Sequence, residues 1–472
     1  MKILLLLFSL LPLTAYSQIQ IGNDLLGEFE NDLFGSSVAL SKDGKILVVG
    51  SITNSDSGVG AGQVQVFENV NDAWVQIGKD INGDGPDAKL GRGIAVSDDG
   101  TIIALGADGN DSRTGNVRVF ENSDGSWTQI GQELVGINTG SLFGNEVSLS
   151  SDGRIVAVGA PGNLQSQGSV QVFQYQGDTW TQLGVDINGE VNLGLFGNGL
   201  DLSADGQTVA IGGDGLLAGE GTLRILQYLE GTWTQIGQAI NGEVSFDRLG
   251  SNVSISDDGA IVAASALGNE ANGISTGAVR VYRNVGGNWE KIGNDLIGDN
   301  LNDQFGASVS LSYDGQIVAV GSLGAEHERI FKNIDDNWVE RANIQGEEGS
   351  FFGLQSHLSK DGLTVAVGAQ SFDGSGSDRG LVRVFRLQDI LSAVDNVQEK
   401  NIELFPNPTS GFVTVRMDNN VKLERMMVYN NLGQMLLTSN NEFMDLSGLH
   451  KGLYHLVIVS NKGRFLRTVV VD

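Results

Sequence analysis

The stretch FGNEVSLSSDGRIVAVG, residues 143–159, decides the fold of this chain. It reads as a short strand, a tight turn at Asp152-Gly153, and a second strand that is almost wholly apolar. Asp-Gly is a strong two-residue hairpin signal because glycine tolerates positive φ. A strand without polar alternation suits burial on both faces. We therefore expect a β-hairpin whose second strand lies inside a core of sheets.

The same pattern recurs seven times along the chain. Each copy has a large apolar residue followed by Gly, and nine residues later an Asp-Gly turn, which begins at Asp43, Asp99, Asp152, Asp205, Asp258, Asp314 and Asp361. All six tryptophans recur in the same register, at Trp74, Trp127, Trp180, Trp233, Trp289 and Trp338. Registered copies of about 50 residues with four strands each are typical of propeller blades.

One copy and the two ends of the array define the predicted architecture. In the copy over 90–136 we predict strands at 93–97, 102–105 and 116–120, and a fourth that starts at Trp127. The last copy stops after its third strand, whereas residues 18–22 (QIQIG) align with 74–78 (WVQIG). We therefore predict an all-β, seven-bladed β-propeller over 18–390 that the N-terminal strand closes, since closure removes exposed sheet edges.

Composition and charge exclude several classes of function. The 472 residues contain no Cys, which excludes disulfides, thiolate metal sites and cysteine nucleophiles. The net charge is −28, and the acidic excess lies before residue 401. Phosphate backbones and anionic membrane surfaces would be repelled, so we expect no nucleic-acid partner. Past the N-terminus no apolar run approaches 18 residues, and we expect no transmembrane span.

The N-terminus has the pattern of a secretory signal. Met1-Lys2 precedes an apolar run over 3–13, which is too short to span a bilayer, and the sequence then reads Thr-Ala-Tyr-Ser. We predict a signal peptide over 1–17, cleaved between Ser17 and Gln18.

The repeated motifs resemble a known class. Phe-Gly-x-x-Val-x-Leu-Ser-x-Asp-Gly, then Val-Ala-Val-Gly-Ala, Gly-x-Val-x-Val-Phe and Trp-x-Gln-Ile-Gly are similar to FG-GAP repeats, as in integrin α-chain head domains. The resemblance covers residues 18–390 and implies a seven-bladed propeller. It implies little about function, because such repeats serve adhesion, scaffolding and some enzymes.

The C-terminal segment differs in composition. A polar linker over 391–400 precedes residues 401–472, where alternating strands and Asn/Gly turns predict a small β-sandwich. The segment resembles the type A sorting domain of the type IX secretion system in Bacteroidetes, and the matching residues are Pro406, Asn407, Pro408, Gly411, Tyr429, Gly433, Gly452 and Tyr454. The resemblance implies an immunoglobulin-like sandwich that interacts with the type IX machinery. It also implies a secreted protein, extracellular or on the outer cell surface.

One stretch has metal-ligand spacing. Asp80, Asn82 and Asp84, with Asp87 close behind, match the start of a calcium loop, in which oxygen ligands on alternate residues surround one ion. The twelfth position is Gly91 instead of Glu, and other copies keep Asn-Gly as a plain turn. Calcium is the only cofactor that the sequence suggests, and we otherwise predict none.

Catalytic residues are scarce. Of the four His, His327 lies in an irregular sixth copy and His357 replaces a small first-strand residue. Asp201 is the other exception at that position, where the remaining copies have Ala39, Ala95, Ser148, Ser254 and Ser310. No Ser-His-Asp set can be assembled, and we predict no catalytic residue.

The predicted function is binding or adhesion without catalysis. The loops from second to third strand and from fourth strand to the next copy share one rim, and they are long, irregular and acidic. Variable loops on a rigid frame usually carry binding sites, here for an extracellular protein or glycan. One alternative is a secreted hydrolase or lyase, which would need an unpaired polar cluster in the central channel. The other is a structural spacer stabilised by calcium.

Overall fold

The computed structural model describes residues 19–215, 219–374, 376–387, 402–417, 422–429, 435–460 and 463–471. The predicted cleavage site at Ser17 and Gln18, the linker over 391–400 and Gly433 lie outside these residues. The chain divides into two compact units, Met1–Gln388 and Asp389–Asp472. The described residues are almost entirely β-structure, which confirms the predicted all-β class.

The first unit contains seven antiparallel sheets among its described residues. The first sheet contains Phe34–Leu40, Ile46–Ser51, Gln63–Val70, Ala73–Gln76 and Ile81–Asn82. The second contains Leu90–Val96, Ile102–Ala107, Asn116–Ser123, Ser126–Gln129 and Leu134–Val135. The third contains Val147–Leu149, Ile155–Ala160, Ser169–Gln176, Thr179–Gln182 and Ile187–Asn188. Those of the fourth and fifth are Gly199–Leu202, Thr208–Gly213, Thr222–Leu229, Thr232–Gln235 and Ile240–Asn241; and Leu249–Ile255, Ile261–Ala266, Ala278–Val285, Asn288–Lys291 and Leu296–Ile297. Each fourth strand is split into two short segments that both pair with the third.

The last two sheets differ from this plan. The sixth has four strands, Phe305–Leu311, Ile317–Ser322, His327–Ile334 and Asn337–Gln345. The seventh combines Gln355–Leu358, Thr364–Ala369 and Leu381–Arg386 with Ile19–Gln20 and Leu25–Leu26 from the N-terminus. Ile19 pairs with Arg386 and Leu25 pairs with Val382, so residues from the two ends of the unit share one sheet.

The second sheet shows how closely the pattern located the strands. Its second and third strands begin at the predicted residues Ile102 and Asn116. The first begins at Leu90, three residues earlier than predicted, and its register shifts before Ile94. Gly91 permits this irregular entry because its φ is 93°, and a Cβ there would lie 3.0 Å from Cγ2 of Val64.

The aspartate of each Asp-Gly turn forms hydrogen bonds within its own turn. In the third sheet, Oγ of Ser150 donates to Oδ1 of Asp152 at 2.7 Å, and this oxygen accepts the backbone N–H of Arg154. The Ser150 Oγ in turn accepts the N–H of Ile155. The other six copies repeat the serine–aspartate bond, so turn chemistry accounts for these carboxylates.

Backbone hydrogen bonds join neighbouring sheets beside these turns. In the first six sheets, the N–H of the residue before the turn aspartate donates to the carbonyl of the equivalent residue in the next sheet; the series runs Lys42, Asp98, Ser151, Ala204, Asp257, Tyr313 and Lys360. The N–H of Asp361 then donates to the carbonyl of Lys42 at 3.0 Å, so the series returns to its start.

Tryptophan side chains join the sheets at their outer strands. Each indole N–H donates to a carbonyl of the preceding sheet at 2.8–3.1 Å, in the pairs Trp74–Ile21, Trp127–Ile77, Trp180–Ile130, Trp233–Leu183, Trp289–Ile236 and Trp338–Ile292. We call these bonds the tryptophan links. Ile21 takes the place of Ile77 in this pattern, as the sequence alignment of 18–22 with 74–78 predicts.

The core of the first unit lies between adjacent sheets. A third-strand residue of one sheet and a first-strand residue of the next belong to one apolar cluster, in the pairs Val64–Ile94, Val117–Val147, Val170–Leu200, Leu223–Val253, Val279–Val309 and Val382–Val38. Burial of such side chains contributes about 1.5–3 kcal/mol each. Between the sixth and seventh sheets the corresponding residues are Glu328 and Ser356, whose side chains form a hydrogen bond.

The second unit has two sheets around one core. One contains Ile402–Phe405, Phe412–Met417 and Phe443–Asp445, and the other contains Leu423–Tyr429, Met435–Ser439, Gly452–Ser460 and Gly463–Val471. Val413 and Val415 of the first sheet share a buried cluster with Val428, Leu456 and Val469 of the second.

Among the described residues, helical structure is confined to two single turns in loops of the first unit, Asn110–Arg113 and Asn163–Ser166. Neither has the length or apolarity to cross a membrane, and the described residues contain no other helix.

Candidate binding surface and central channel

The long loops of the first unit form the first candidate region. We define the long-loop rim as the described residues of two sets of loops: 52–62, 108–115, 161–168, 214–221, 267–277, 323–326 and 370–380 between second and third strands, and 27–33, 83–89, 136–146, 189–198, 242–248, 298–304 and 346–354 between sheets. The opposite end, which carries the tight turns, is the hairpin rim.

Hydrogen bonds between loops hold the long-loop rim in place. The N–H of Asp87 donates to the carbonyl of Val59 at 2.8 Å, and that of Asn302 donates to the carbonyl of Ile274 at 2.9 Å. The same kind of bond joins Leu142 to Arg113. Each loop within a sheet thus supports the loop that leads to the next sheet.

Large apolar side chains are exposed on the long-loop rim. Val59 is 76% exposed and Ile137 is 71% exposed. Others with more than half of their surface exposed are Phe29, Val191, Val244, Phe246, Ile274 and Leu301. Carboxylates stand between them, for example Glu28, Glu243, Glu270 and Asp299.

Three of the four predicted calcium residues contact other side chains of the protein. Oδ1 of Asp80 accepts from the Gln65 and Gln76 amides, at 3.2 and 2.6 Å. Asp84 pairs with Arg118 at 3.0 Å, and the Asn82 side chain accepts from Gln63. No hydrogen bond of the Asp87 side chain is found among the described residues. These residues also contain no group of three His, Asp or Glu side chains placed to hold a metal ion.

Asp80 occupies a position that repeats around the unit. Asp186, Asp295 and Asp24 take the same place and accept hydrogen bonds from Gln171, Arg280 and Arg383. The carboxylate therefore serves to link third and fourth strands, and the calcium site stays a prediction.

The central channel, between the first strands of the seven sheets, is the second candidate region. Its volume is about 210 Å³. Asp201 and His357, the two exceptional first-strand residues, both line it. Asp201 accepts hydrogen bonds from the hydroxyls of Ser148 and Ser254 and from two backbone N–H groups. Four donors thus satisfy its carboxylate.

His357 belongs to a series of hydrogen bonds that join the first strands of neighbouring sheets. Its Nδ1 accepts the backbone N–H of Leu40 at 3.2 Å, and Ser310 accepts that of Leu358 in the same way. Burial, and then the nearby Lys360, lower the pKa of His357 to about 4. The imidazole is therefore neutral at physiological pH, and its described contacts link the seventh sheet to the first.

An ionic cluster crosses the channel at the hairpin rim. Nζ of Lys42 lies 2.9 Å from Asp98 and 3.2 Å from Asp257, which belongs to the fifth sheet. Lys360 lies 3.8 Å from the same Asp257. Two cations and two anions therefore obstruct this end.

Glu146 is the channel residue that sequence reasoning missed. It lies two residues before the position of Asp201 and His357, where the other copies have Ser37, Gly93, Gly199, Asn252, Ser308 and Gln355. Its carboxyl group makes no hydrogen bond or ion pair with any described residue. Burial raises its pKa to about 8. A comparison of that column across the copies would have found it.

The described sorting residues of the second unit lie at or near the ends of its strands. Oδ1 of Asn407 accepts the N–H of Val470, and the hydroxyl of Tyr454 donates to the carbonyl of His450. The carbonyl of Gly411 accepts the N–H of Leu446. Pro406 and Pro408 flank Asn407, while Tyr429 ends one strand and Gly452 begins another.

Comparisons with known proteins agree with these two units. Residues 403–472 match the model of the secretion system C-terminal sorting domain, and residues 29–67 match that of the FG-GAP repeat. No curated protein matches the chain.

Solved structures with similar folds include propellers. Hydrazine synthase of Kuenenia stuttgartiensis has 15% identity and a TM-score of 0.52, and the match covers 78% of this chain and 98% of that one. The Cps50 (Swd1) β-propeller domain of Myceliophteria thermophila has 10% identity and a TM-score of 0.53, over 78% and 99%. At such identities the likeness shows the fold alone. The chain thus carries FG-GAP repeat sequence in a propeller-like first unit, and its second unit is a secretion system C-terminal sorting domain.

Proposed function

We propose that this chain is a secreted, non-catalytic binding protein whose long-loop rim binds an extracellular protein surface that combines basic and apolar side chains. We also propose that the seven sheets are blades of one closed propeller, completed by the N-terminal strand. The circuit of backbone bonds from Lys42 to Asp361 and the pairing of Ile19 with Arg386 support this closure.

The observation that carries the proposal is the exposure of Val59, Ile137, Ile274 and Leu301 on four different loops. Exposed aliphatic side chains cost free energy in water, and a partner that covers them removes this cost. The loop-to-loop bonds reduce the entropy that such loops would lose on binding.

Charge favours a basic protein surface as the occupant. The rim is rich in Asp and Glu and poor in Lys and Arg, and the chain as a whole is strongly acidic. Complementary charge speeds association and excludes acidic competitors. Aliphatic side chains favour a protein over a glycan, because saccharides usually stack on aromatic rings and most of the exposed large apolar side chains of the rim are aliphatic.

Export follows from the second unit. The sorting domain at 403–472 indicates passage through the type IX system to the extracellular space or the cell surface. We propose that residues 1–17 direct the first step as a cleaved signal peptide and that the source is a member of the Bacteroidetes. A binding module at that location would serve adhesion.

A peptide-library selection on purified chain tests the proposal. We expect enrichment of peptides that carry Lys or Arg together with aliphatic or aromatic residues, and affinity that falls as salt rises. Combined substitution of Val59, Ile137, Ile274 and Leu301 by Ser should weaken binding of a selected peptide by at least tenfold.

The matched control replaces exposed apolar residues of the hairpin rim, Val70, Leu229 and Val285, by Ser. Binding should not change in this variant. Equal losses in both variants, or selection of acidic peptides, would contradict the proposal. A parallel glycan array distinguishes the other ligand class: glycan binding that survives the rim substitutions would also contradict it.

A further inference from the structure

The central channel has the features of a site for a small ligand, independent of the partner on the rim. The cluster of Lys42, Asp98, Asp257 and Lys360 obstructs the hairpin end, so a ligand would enter from the long-loop rim. The cavity of about 210 Å³ has room for a small organic molecule. Its polar lining excludes a hydrocarbon ligand.

Three side chains near the channel entrance already donate hydrogen bonds to the protein. The hydroxyl of Ser37 donates to the carbonyl of Gly91, and the Asn252 amide donates to that of Gly306. Asn198 bonds Ser251 in the same way. Each bond joins one sheet to the next and occupies one N–H or O–H group.

Several acceptors near the entrance have no such partner. Oδ1 of Asn198 and Oδ1 of Asn252 accept no hydrogen bond from the described residues, and the carboxyl of Glu146 has no partner among them. A cavity that offers acceptors and one unpaired carboxyl favours a ligand with several donors and a positive charge.

We propose that the channel binds a small organic cation with a primary ammonium group, for which Glu146 is the counter-ion and Asn252 and Ser37 are hydrogen-bond acceptors. Two other charges act on Glu146. Arg92, at the entrance, is exposed and therefore screened, and Asp201 is already satisfied by four donors. An ammonium ion supplies the three N–H donors that these oxygens lack.

Calorimetric titration with ethanolamine tests the site, with ethylene glycol as the neutral control and glycolate as the anionic one. We expect ethanolamine to bind and the controls not to bind. Glu146→Gln, which keeps the size of the side chain, should weaken ethanolamine binding at least tenfold. Glu290→Gln, at an exposed position of the fifth sheet, should leave it unchanged.

The pH dependence gives a second measurement on the unaltered chain. Burial raises the pKa of Glu146 to about 8, so binding must displace a proton below that pH. Affinity for ethanolamine should rise about tenfold per pH unit up to that value and then level off. A flat profile, absence of ethanolamine binding, equal binding of ethylene glycol, or full binding by Glu146→Gln would each overturn the proposal.

Discussion

The interface between the sixth and seventh sheets differs from the other six in both of its contacts. Elsewhere a tryptophan link joins the outer strands and a pair of aliphatic residues fills the core. At the sixth–seventh interface all six tryptophans are already used, and Arg341-Ala342 stand where Ile77-Gly78 stand in the first sheet. Glu328 and Ser356 replace the aliphatic pair.

The difference shows that both residues of a pair at a sheet interface can change together, here from two aliphatic side chains to a carboxyl and a hydroxyl group. Oε1 of Glu328 accepts from Ser356 at 2.9 Å, and Ser356 also contacts the hydroxyl of Ser308 at 2.8 Å. Oε2 of Glu328 is buried and has no partner among the described residues. The two side chains thus bond each other, but one buried carboxyl oxygen has no donor among the described residues, which costs stability.

Loss of a tryptophan link should have the largest effect. Trp180→Ala removes the link between the second and third sheets together with a buried ring, and large-to-small changes of this kind cost about 3–5 kcal/mol. Trp180→Phe keeps an aromatic ring but loses the N–H bond to Ile130, and about 1 kcal/mol should be lost. Urea unfolding measures both.

The control for this series is Val285→Ala at an exposed site, which should change the free energy of unfolding by less than about 0.5 kcal/mol. If Trp180→Ala were as stable as the control, the tryptophan links would not distinguish the six interfaces from the seventh.

Restoring the aliphatic pair should have the next largest effect, with the opposite sign. In Glu328→Val/Ser356→Val the sixth–seventh interface matches the others, and the buried oxygen is removed. Because an unsatisfied buried polar group costs about 1–3 kcal/mol, we expect a gain of this size in the free energy of unfolding.

A single variant sharpens this test. Ser356→Val alone deprives Oε1 of Glu328 of its donor and should destabilise the chain by about 1–3 kcal/mol. A double variant no more stable than the unaltered chain would mean that the polar pair is worth as much as an aliphatic one.

From the repeat pattern alone, the class of the fold and many of its local elements could be predicted. The all-β class, the turns and the starts of strands at Ile102 and Asn116 follow from periodicity and Asp-Gly chemistry, because each copy repeats the same local solution. The bulged strand entry at Leu90 was missed, since alternation alone carries no information about a register shift.

The candidate sites were less predictable, because side-chain partners come from neighbouring sheets. Asp201 and His357 were identified as exceptions, but their bonds to Ser148 and Leu40 depend on the packing of adjacent sheets. The sequence suggests Asp80 as a metal ligand, but in the structure its carboxylate accepts a hydrogen bond from Gln65. Glu146 required a comparison of one column across all seven copies.

The dependence of stability on pH should also distinguish the sixth–seventh interface from the others. Burial raises the pKa of Glu328 well above 4.5, so the folded chain holds a proton that the unfolded chain releases. This contribution is complete below pH 4.5 and is lost as pH rises through the folded pKa, at up to about 1.4 kcal/mol per pH unit. Glu328→Gln should have a flatter profile between pH 5 and 8, and parallel profiles would contradict the assignment.

The smallest effect is expected from removal of calcium. Asp80 has the same protein partners as Asp186, whose copy lacks the following Asp-Gly, and Asp84 already pairs with Arg118. Since these contacts occupy the carboxylates, a chelator should shift the melting temperature by less than about 2 °C, which for a chain of this size corresponds to under about 1 kcal/mol. Asp84→Asn should behave alike with and without calcium. A calcium-dependent rise of many degrees that Asp84→Asn abolishes would establish the predicted metal site, and would make the first sheet, like the sixth, an exception among its neighbours.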